Sequence, residues 1–163
     1  MQRYKRAEVT VFLSLLCLVL CSFLGVIIKS ARKEAIRRRI EIVTDVAVRS
    51  AFSEYDKALF DDYDILCVDT TYKGSSEGGD SSFINHVSRY VEINLQNSEP
   101  YLGELMLVSV SLSDVSYLDE EDFSDQSIEF FKDNTYLSAA NVTVYVQDSS
   151  GKVYECEKAF SLN

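Results

Sequence analysis

Twenty consecutive positions, Val9 to Ile28 (VTVFLSLLCLVLCSFLGVII), carry no charge, and only Thr10, Ser14, Ser22 and Gly25 interrupt their apolar character. At about 1.5 Å per residue a helix of that length covers roughly 30 Å, the thickness of a hydrocarbon core. Basic clusters bracket the run, so the pattern predicts a single membrane crossing. A cleaved signal peptide fits less well, because the run exceeds the roughly 7–15 residues of such an apolar region and no A-x-A-like site precedes Lys29. Leu16 before Cys17 and Leu20 before Cys21 are too bulky for a lipoprotein site, which leaves both cysteines as small helix positions.

Beyond the span no glycine or proline occurs until Gly74, and apolar residues recur at Ile36, Ile40, Val43 and Ala47, then Val48, Phe52, Tyr55 and Leu59. This three-four spacing predicts one helix from about Glu8 to about Asp62, membrane-spanning over 9–28 and amphipathic over 29–63. The period then changes. ILCVDTTY (65–72) reads as a strand and KGSSEGGDS (73–81) as a Gly/Ser loop. Phe83, Val87, Tyr90, Val91 and Leu95 predict a second helix over 82–96, with Asp80 or Ser81 as its N-cap. After a turn at Pro100 and Gly103, LMLVSVSLSDVSYL (105–118) alternates apolar with Ser and Asp, the mark of a strand with one wet face. DEEDFSDQSIEFFKDN (119–134) suits a short helix with an acidic first turn, and VTVYVQ (142–147) and KVYECEKAF (152–160) flank DSSG as a hairpin. The expected fold is α+β: a long N-terminal helix, transmembrane in its first half, then a head at 64–163 with an antiparallel sheet and two short helices.

Charge divides the 163 residues in a way their net of −10 conceals. Residues 1–39 hold nine basic and two acidic side chains, whereas 40–163 hold seven basic and twenty-four acidic. A hydrophobic fraction of 47% excludes wholesale disorder. The acidic remainder would repel phosphate, so no nucleic-acid partner is expected. Arg3, Lys5 and Arg6 precede the span, and Lys29, Arg32, Lys33, Arg37, Arg38 and Arg39 follow it. The count alone would hold the C-terminal part inside the cell. The compact cluster directly before an N-terminal span instead has the form of a signal anchor, which leads its downstream domain across. The expectation is a basic cytoplasmic leader at 1–8, a single-pass cell-membrane anchor and an extracytoplasmic head. Arg32, Arg37, Arg38 and Arg39 lie where lipid head groups would be, and are candidate contacts for membrane lipid or for acidic neighbours in an assembly.

Candidate chemistry is sparse. Cys67 and Cys156 fall in predicted strands; in an exported head they form either a disulfide closing a long loop, worth about 2–4 kcal/mol, or two buried thiols. With His86 the single histidine and no C-x-x-C, these thiols do not suggest a metal site. The acidic run from Asp119 to Glu129 lacks the order of a calcium loop, and Asp61, Asp62 and Asp64 read as a solvated helix end. There is no P-loop, G-x-G-x-x-G, nucleophile elbow or Ser-His-Asp context around His86. The sequon Asn141-Val142-Thr143 falls in a predicted strand. A non-enzymatic protein without cofactor is expected.

The order of basic leader (RYKRA), apolar run beginning EVTVFLSL and unbroken Arg/Glu-rich helix ending in SEYDKALFDDYDILCVD resembles the single-span, pilin-like membrane proteins of tight-adherence (Tad) pilus loci, the TadE/TadG-like group and its Gram-positive relatives. VSYLDEEDFSDQSIEFFKDN is similar to that group's strand followed by an acidic helix. The resemblance implies a pilus or secretion accessory subunit with its helix in the membrane, its head outside, and other pilin-like subunits or assembly proteins as partners. It also implies a processing site between Ala7 and Glu8. Related signals carry Glu at the fifth mature position, where this chain has Phe12, so an uncleaved anchor is the alternative. The competing reading is a signal-anchored extracytoplasmic binding domain unrelated to pili.

Overall fold

The computed structural model describes residues 2–71, 79–96, 100–118 and 136–162, apart from the side chains of residues 2–8, 58, 62, 63 and 100. The chain divides into two compact units, residues 1–38 and residues 39–163. Helix α1 (Gln2–Phe52) supplies all the described structure of the first unit and enters the second. There it is followed by α2 (Lys57–Tyr63), β1 (Val68–Asp69), α3 (Asp80–Gln96), a 3₁₀ turn (Pro100–Leu102), β2 (Leu105–Tyr117), β3 (Tyr136–Asp148) and β4 (Val153–Ser161). The head is thus α+β, built on one antiparallel sheet, as its sequence pattern indicates. Of the Gly/Ser loop expected at 73–81, residues 73–78 lie outside the described residues and Asp80 and Ser81 open α3; the acidic helix expected at 119–134 also lies outside them.

The helix expected to run to Asp62 ends ten residues earlier, at Phe52. Glu54 N–H turns back to the Ala51 carbonyl (3.2 Å), tightening the last turn, and the Ser53 hydroxyl donates to the Ser50 carbonyl (2.7 Å). Asp56 then starts a new helix, its carboxylate accepting from Leu59 N–H (3.5 Å) as an N-cap, while its own N–H donates to the Cys67 carbonyl (2.9 Å). The break therefore comes from a capping aspartate. Asp64, at φ 57°, ends α2 in the left-handed conformation that Asp tolerates better than most side chains.

β3 is the central strand. β2 pairs along one of its edges from Leu105↔Asp148 to Tyr117↔Leu137; the other edge is shared by β4, which covers Ala139 to Gln147, and β1, which covers Tyr136 and Leu137. The expected strand at 65–72 shrinks to the two residues of β1, and β3 starts six residues before the hairpin strand expected at 142. In β2 the apolar positions change parity twice, from Leu105 and Leu107 to Val110 and Leu112, then to Val115 and Tyr117. At each change the register slips by one residue, between Leu107 and Ser109 and between Ser113 and Ser116, and a third slip between Ser116 and Tyr117 reverses the second. These are β-bulges that return the next apolar residue to the core face. Asp114 sits in the second at φ 49°, held by Asn141 Nδ2 (2.9 Å).

One sheet face is covered by the helices. Val142, Val144 and Val146 are fully buried on β3, and α3 presents Phe83, Val87, Val91 and Leu95 at successive turns. From α1, Ile40, Val43, Ala47, Val48, Ala51 and Phe52 complete the core. A second cluster joins Leu59, Cys67 and Tyr136, with Ile65 and Leu118 packed against it. Thr44 is also buried on α1, and its hydroxyl finds no hydrogen-bond partner among the described residues. An unpaired buried hydroxyl costs about 1–3 kcal/mol, a penalty that a methyl group of the same shape does not carry. Thr44→Val is expected to stabilise the full chain in detergent by about 1 kcal/mol, read as a higher urea midpoint at unchanged slope; a lower midpoint would show that the hydroxyl is satisfied.

Asp148 closes the β3–β4 hairpin. It accepts from Ser150 N–H (2.8 Å), the Ser150 hydroxyl (2.5 Å), Lys152 N–H (3.1 Å) and the Tyr154 hydroxyl (3.1 Å). The Ser150 hydroxyl foremost, against an opposing effect of burial, holds this carboxyl below its usual range. A group with a depressed folded pKa contributes stability that is present above its unfolded value, near 4, and lost as pH falls through the folded one. Asp148→Asn is expected to cost about 1–3 kcal/mol at pH 7 and to flatten the loss of stability below about pH 4. Urea titrations at pH 7, 4 and 3 measure both effects.

Candidate functional site

The first unit is a surface before it is a structure. Val9 to Ile28 are exposed along their whole length, with Phe12, Leu18, Phe23 and Ile28 each at 65% or more. The polar interruptions do not offset this: Ser14 Oγ donates to the Val11 carbonyl (2.8 Å) and Ser22 Oγ to the Leu18 carbonyl (2.9 Å), so both hydroxyls are satisfied inside the helix. A helix whose backbone and hydroxyls are bonded internally and whose sides are apolar all round is stable in hydrocarbon and unstable bare in water. It is the one described helix long and apolar enough to span a bilayer. The protein is a single-pass membrane anchor carrying a small globular extracytoplasmic head.

The basic residues after the span have unequal surroundings. Arg38 pairs with Glu34 (3.3 Å) across one helical turn, with both side chains largely exposed. Arg39 donates from Nη2 to the Asn94 carbonyl (2.8 Å), in the last turn of α3, where carbonyls lack intrahelical partners and the helix dipole favours a cation. Arg39 is thus a C-terminal cap inside the head. Its placement differs from that of the exposed Arg32, Arg37 and Arg38, with which sequence position alone had grouped it. Ala7 and Glu8 lie in the first turns of α1.

The two head cysteines do not meet. Cys67 precedes Val68, which pairs with Leu137, whereas Cys156 pairs with Val144. Seven residues of β3 at about 3.3 Å each put them roughly 20 Å apart, against the 7 Å or less that a disulfide requires between Cα atoms. The disulfide alternative is therefore replaced by two separate thiols. Burial, reinforced by Asp56 and Asp69, pushes the Cys67 thiol up to about 12, which keeps it protonated and unreactive at neutral pH.

A polar cluster that sequence reasoning missed sits where α1 ends. Glu54, two residues past Phe52, takes His86 Nδ1 at 3.0 Å and a hydrogen bond from the Tyr90 hydroxyl. His86 and Tyr90 lie one turn apart on α3, so a single carboxylate ties the end of α1 to the flank of α3. The hydrogen bond to Glu54, with burial adding, raises the Tyr90 phenol above its ordinary value. No sequence motif marks the cluster, because its carboxylate stands 32 residues from the histidine. At the other end of α3, the Tyr117 hydroxyl donates to Asp80, and burial together with that bond pushes the phenol up to about 12. Both arrangements are clamps. Among the described residues no group of three or more His, Cys, Asp or Glu side chains converges on a common point.

The sheet face opposite the buried valines carries Ser109–Tyr145–Glu155, Ser111–Thr143–Glu157 and Ser113–Asn141–Ala159 as successive cross-strand rows. It is the wet face that the alternation of β2 predicts. The sequon asparagine, Asn141, is on it but mid-strand and bonded to Asp114. No family model matches the chain, and comparison with curated proteins and with solved structures gives no match.

An extracytoplasmic head places the exposed hairpin tip at Ser149 outside the cell. Ser149→Cys in a Cys156→Ser background should react with a membrane-impermeant maleimide in intact cells. Protection that disappears on lysis would place the head in the cytoplasm.

Proposed function

We propose that the protein is a membrane-anchored pilin-like subunit or accessory protein of a Tad-like pilus or secretion apparatus, and that it acts by assembly rather than catalysis. The observation that carries this reading is the continuity of α1. One uninterrupted helix holds both the lipid-soluble run Val9–Ile28 and the core residues from Ile40 to Phe52. A subunit that leaves lipid for a filament must exchange acyl chains for neighbouring helices along an apolar surface. The fully exposed sides of the span, with their hydroxyls already satisfied, provide such a surface. A generic anchor needs only the apolar run and leaves unexplained why the same helix also supplies core residues of the head.

Cys17 and Cys21, both exposed on the span, are native reporters of helix–helix contact. Oxidation with copper phenanthroline in native membranes should give disulfide-linked pairs of copies, or adducts with a related single-span subunit, and the protein should appear in the filament fraction sheared from cells. Cys17→Ser/Cys21→Ser should abolish the adducts. A protein that stays monomeric under oxidation and is missing from the sheared fraction would be a lone anchored domain.

A further inference from the structure

The basic segment after the span does two jobs with adjacent residues. Lys29, Lys33 and Arg37 recur every fourth position and so form one row along the helix, starting at the end of the apolar run. All three are exposed, and among the described residues none has an ion-pair partner. Glu34, the acidic residue of this stretch, is engaged by Arg38, and Arg39 is committed to α3. No described ion pair therefore offsets the charge of the row. It is also placed to reach back to the bilayer: at 1.5 Å per residue Lys29 stands at the hydrocarbon edge, Lys33 roughly 6 Å beyond and Arg37 roughly 12 Å beyond. The head-group layer is roughly 5–8 Å deep on each side. Helical side chains lean toward the N-terminus, which for a segment C-terminal to the span means toward the membrane, and long basic side chains extend that reach.

We propose that Lys29, Lys33 and Arg37 form a binding surface for the phosphate head groups of anionic phospholipids, flanked by Arg32, with Arg38 and Arg39 outside it. The occupant follows from charge complementarity and from continuity with the spanning segment, since the row begins where the acyl chains end. A basic side chain close to an anionic surface gains about fivefold in local association. The selectivity concerns the leaflet the row meets and does not depend on filament assembly, so it can fail while the pilin-like reading stands, and the reverse.

The chain contains no Trp, so Ile27→Trp supplies one fluorescent reporter next to the row. The full-length protein is reconstituted at high lipid excess in vesicles of phosphatidylcholine and phosphatidylglycerol, with brominated acyl chains on one lipid or the other as quencher. Phosphatidylglycerol should quench preferentially, with a relative association constant of about five or more, and raising salt from 0.1 to 1 M, which shortens the screening length from about 10 to 3 Å, should erode that preference. Lys29→Gln/Lys33→Gln/Arg37→Gln should bring it close to one with the head's thermal midpoint unchanged. Arg39→Gln should do the opposite, lowering the midpoint and leaving the lipid preference. Equal quenching by the two lipids in the parent protein, a preference that survives the triple substitution, or one lost with Arg39 alone would overturn the proposal.

Discussion

The ring of Phe52 lies between two others, edge-on to Phe83 of α3 (centroids 5.0 Å, planes 67° apart) and stacked on Phe160 of β4 (4.4 Å, 28°). These are the arrangements in which the aromatic quadrupoles attract, and burial of so much apolar area adds to them. Three elements thus converge on the last residue of α1, and the neighbouring features follow from where it stops. Ser53 and Glu54 must turn the chain at once, Asp56 must begin another helix, and Glu54 is left beside His86 and Tyr90. The head is therefore not a finished domain tethered to a membrane helix. Its core is incomplete without the side chains that α1 contributes from Ile40 onward.

Electrostatics works on a coarser scale. The exposed pairs of α1, Arg49 with Asp45 at 2.9 Å and Glu41 with Lys158 at 3.7 Å, each contribute little, as surface pairs do. What matters is the partition of sign, with basic charge concentrated at the membrane segment and acidic charge over the rest. The acidic charge of the head is of the sign that an anionic surface, or a second head, repels. Close packing of copies would require the spans to supply the attraction, consistent with the internally satisfied hydroxyls of Ser14 and Ser22 and with apolar sides exposed all round.

The span was legible as an uncharged run, α3 by its helical spacing and the two faces of β2 by local alternation. Phe83, Val87, Val91 and Leu95 are buried where that spacing places them. The end of α1 was harder to see: apolar spacing continues through Tyr55 and Leu59, and only a capping interaction, which depends on the orientation of Asp56, divides one helix into two. The bulges were written in β2 as two changes of parity, although the eye reads the strand as regular alternation. Arg39 and Arg38 are indistinguishable by composition, and their roles separate only through the arrival of Asn94 from another element. The Glu54 cluster and the separation of Cys67 from Cys156 likewise depend on strand and helix placement, which local sequence does not encode.

Because β3 touches every other strand and lies near the C-terminal end, the order of synthesis runs against the order of assembly. α1, α2, α3 and β2 all precede the strand with which β2 pairs, and Phe52 packs on a ring that belongs to the last described strand. Such long-range contacts make folding slow and leave strand edges bare in the meantime. The contacts of Phe52 with Phe160 and of β2 with β3 thus close only once the later strands are present. During that interval the Ser and Asp residues along the wet face of β2 discourage pairing with the wrong edge. The polar positions that keep one face of the finished sheet wet also protect the unpaired strand.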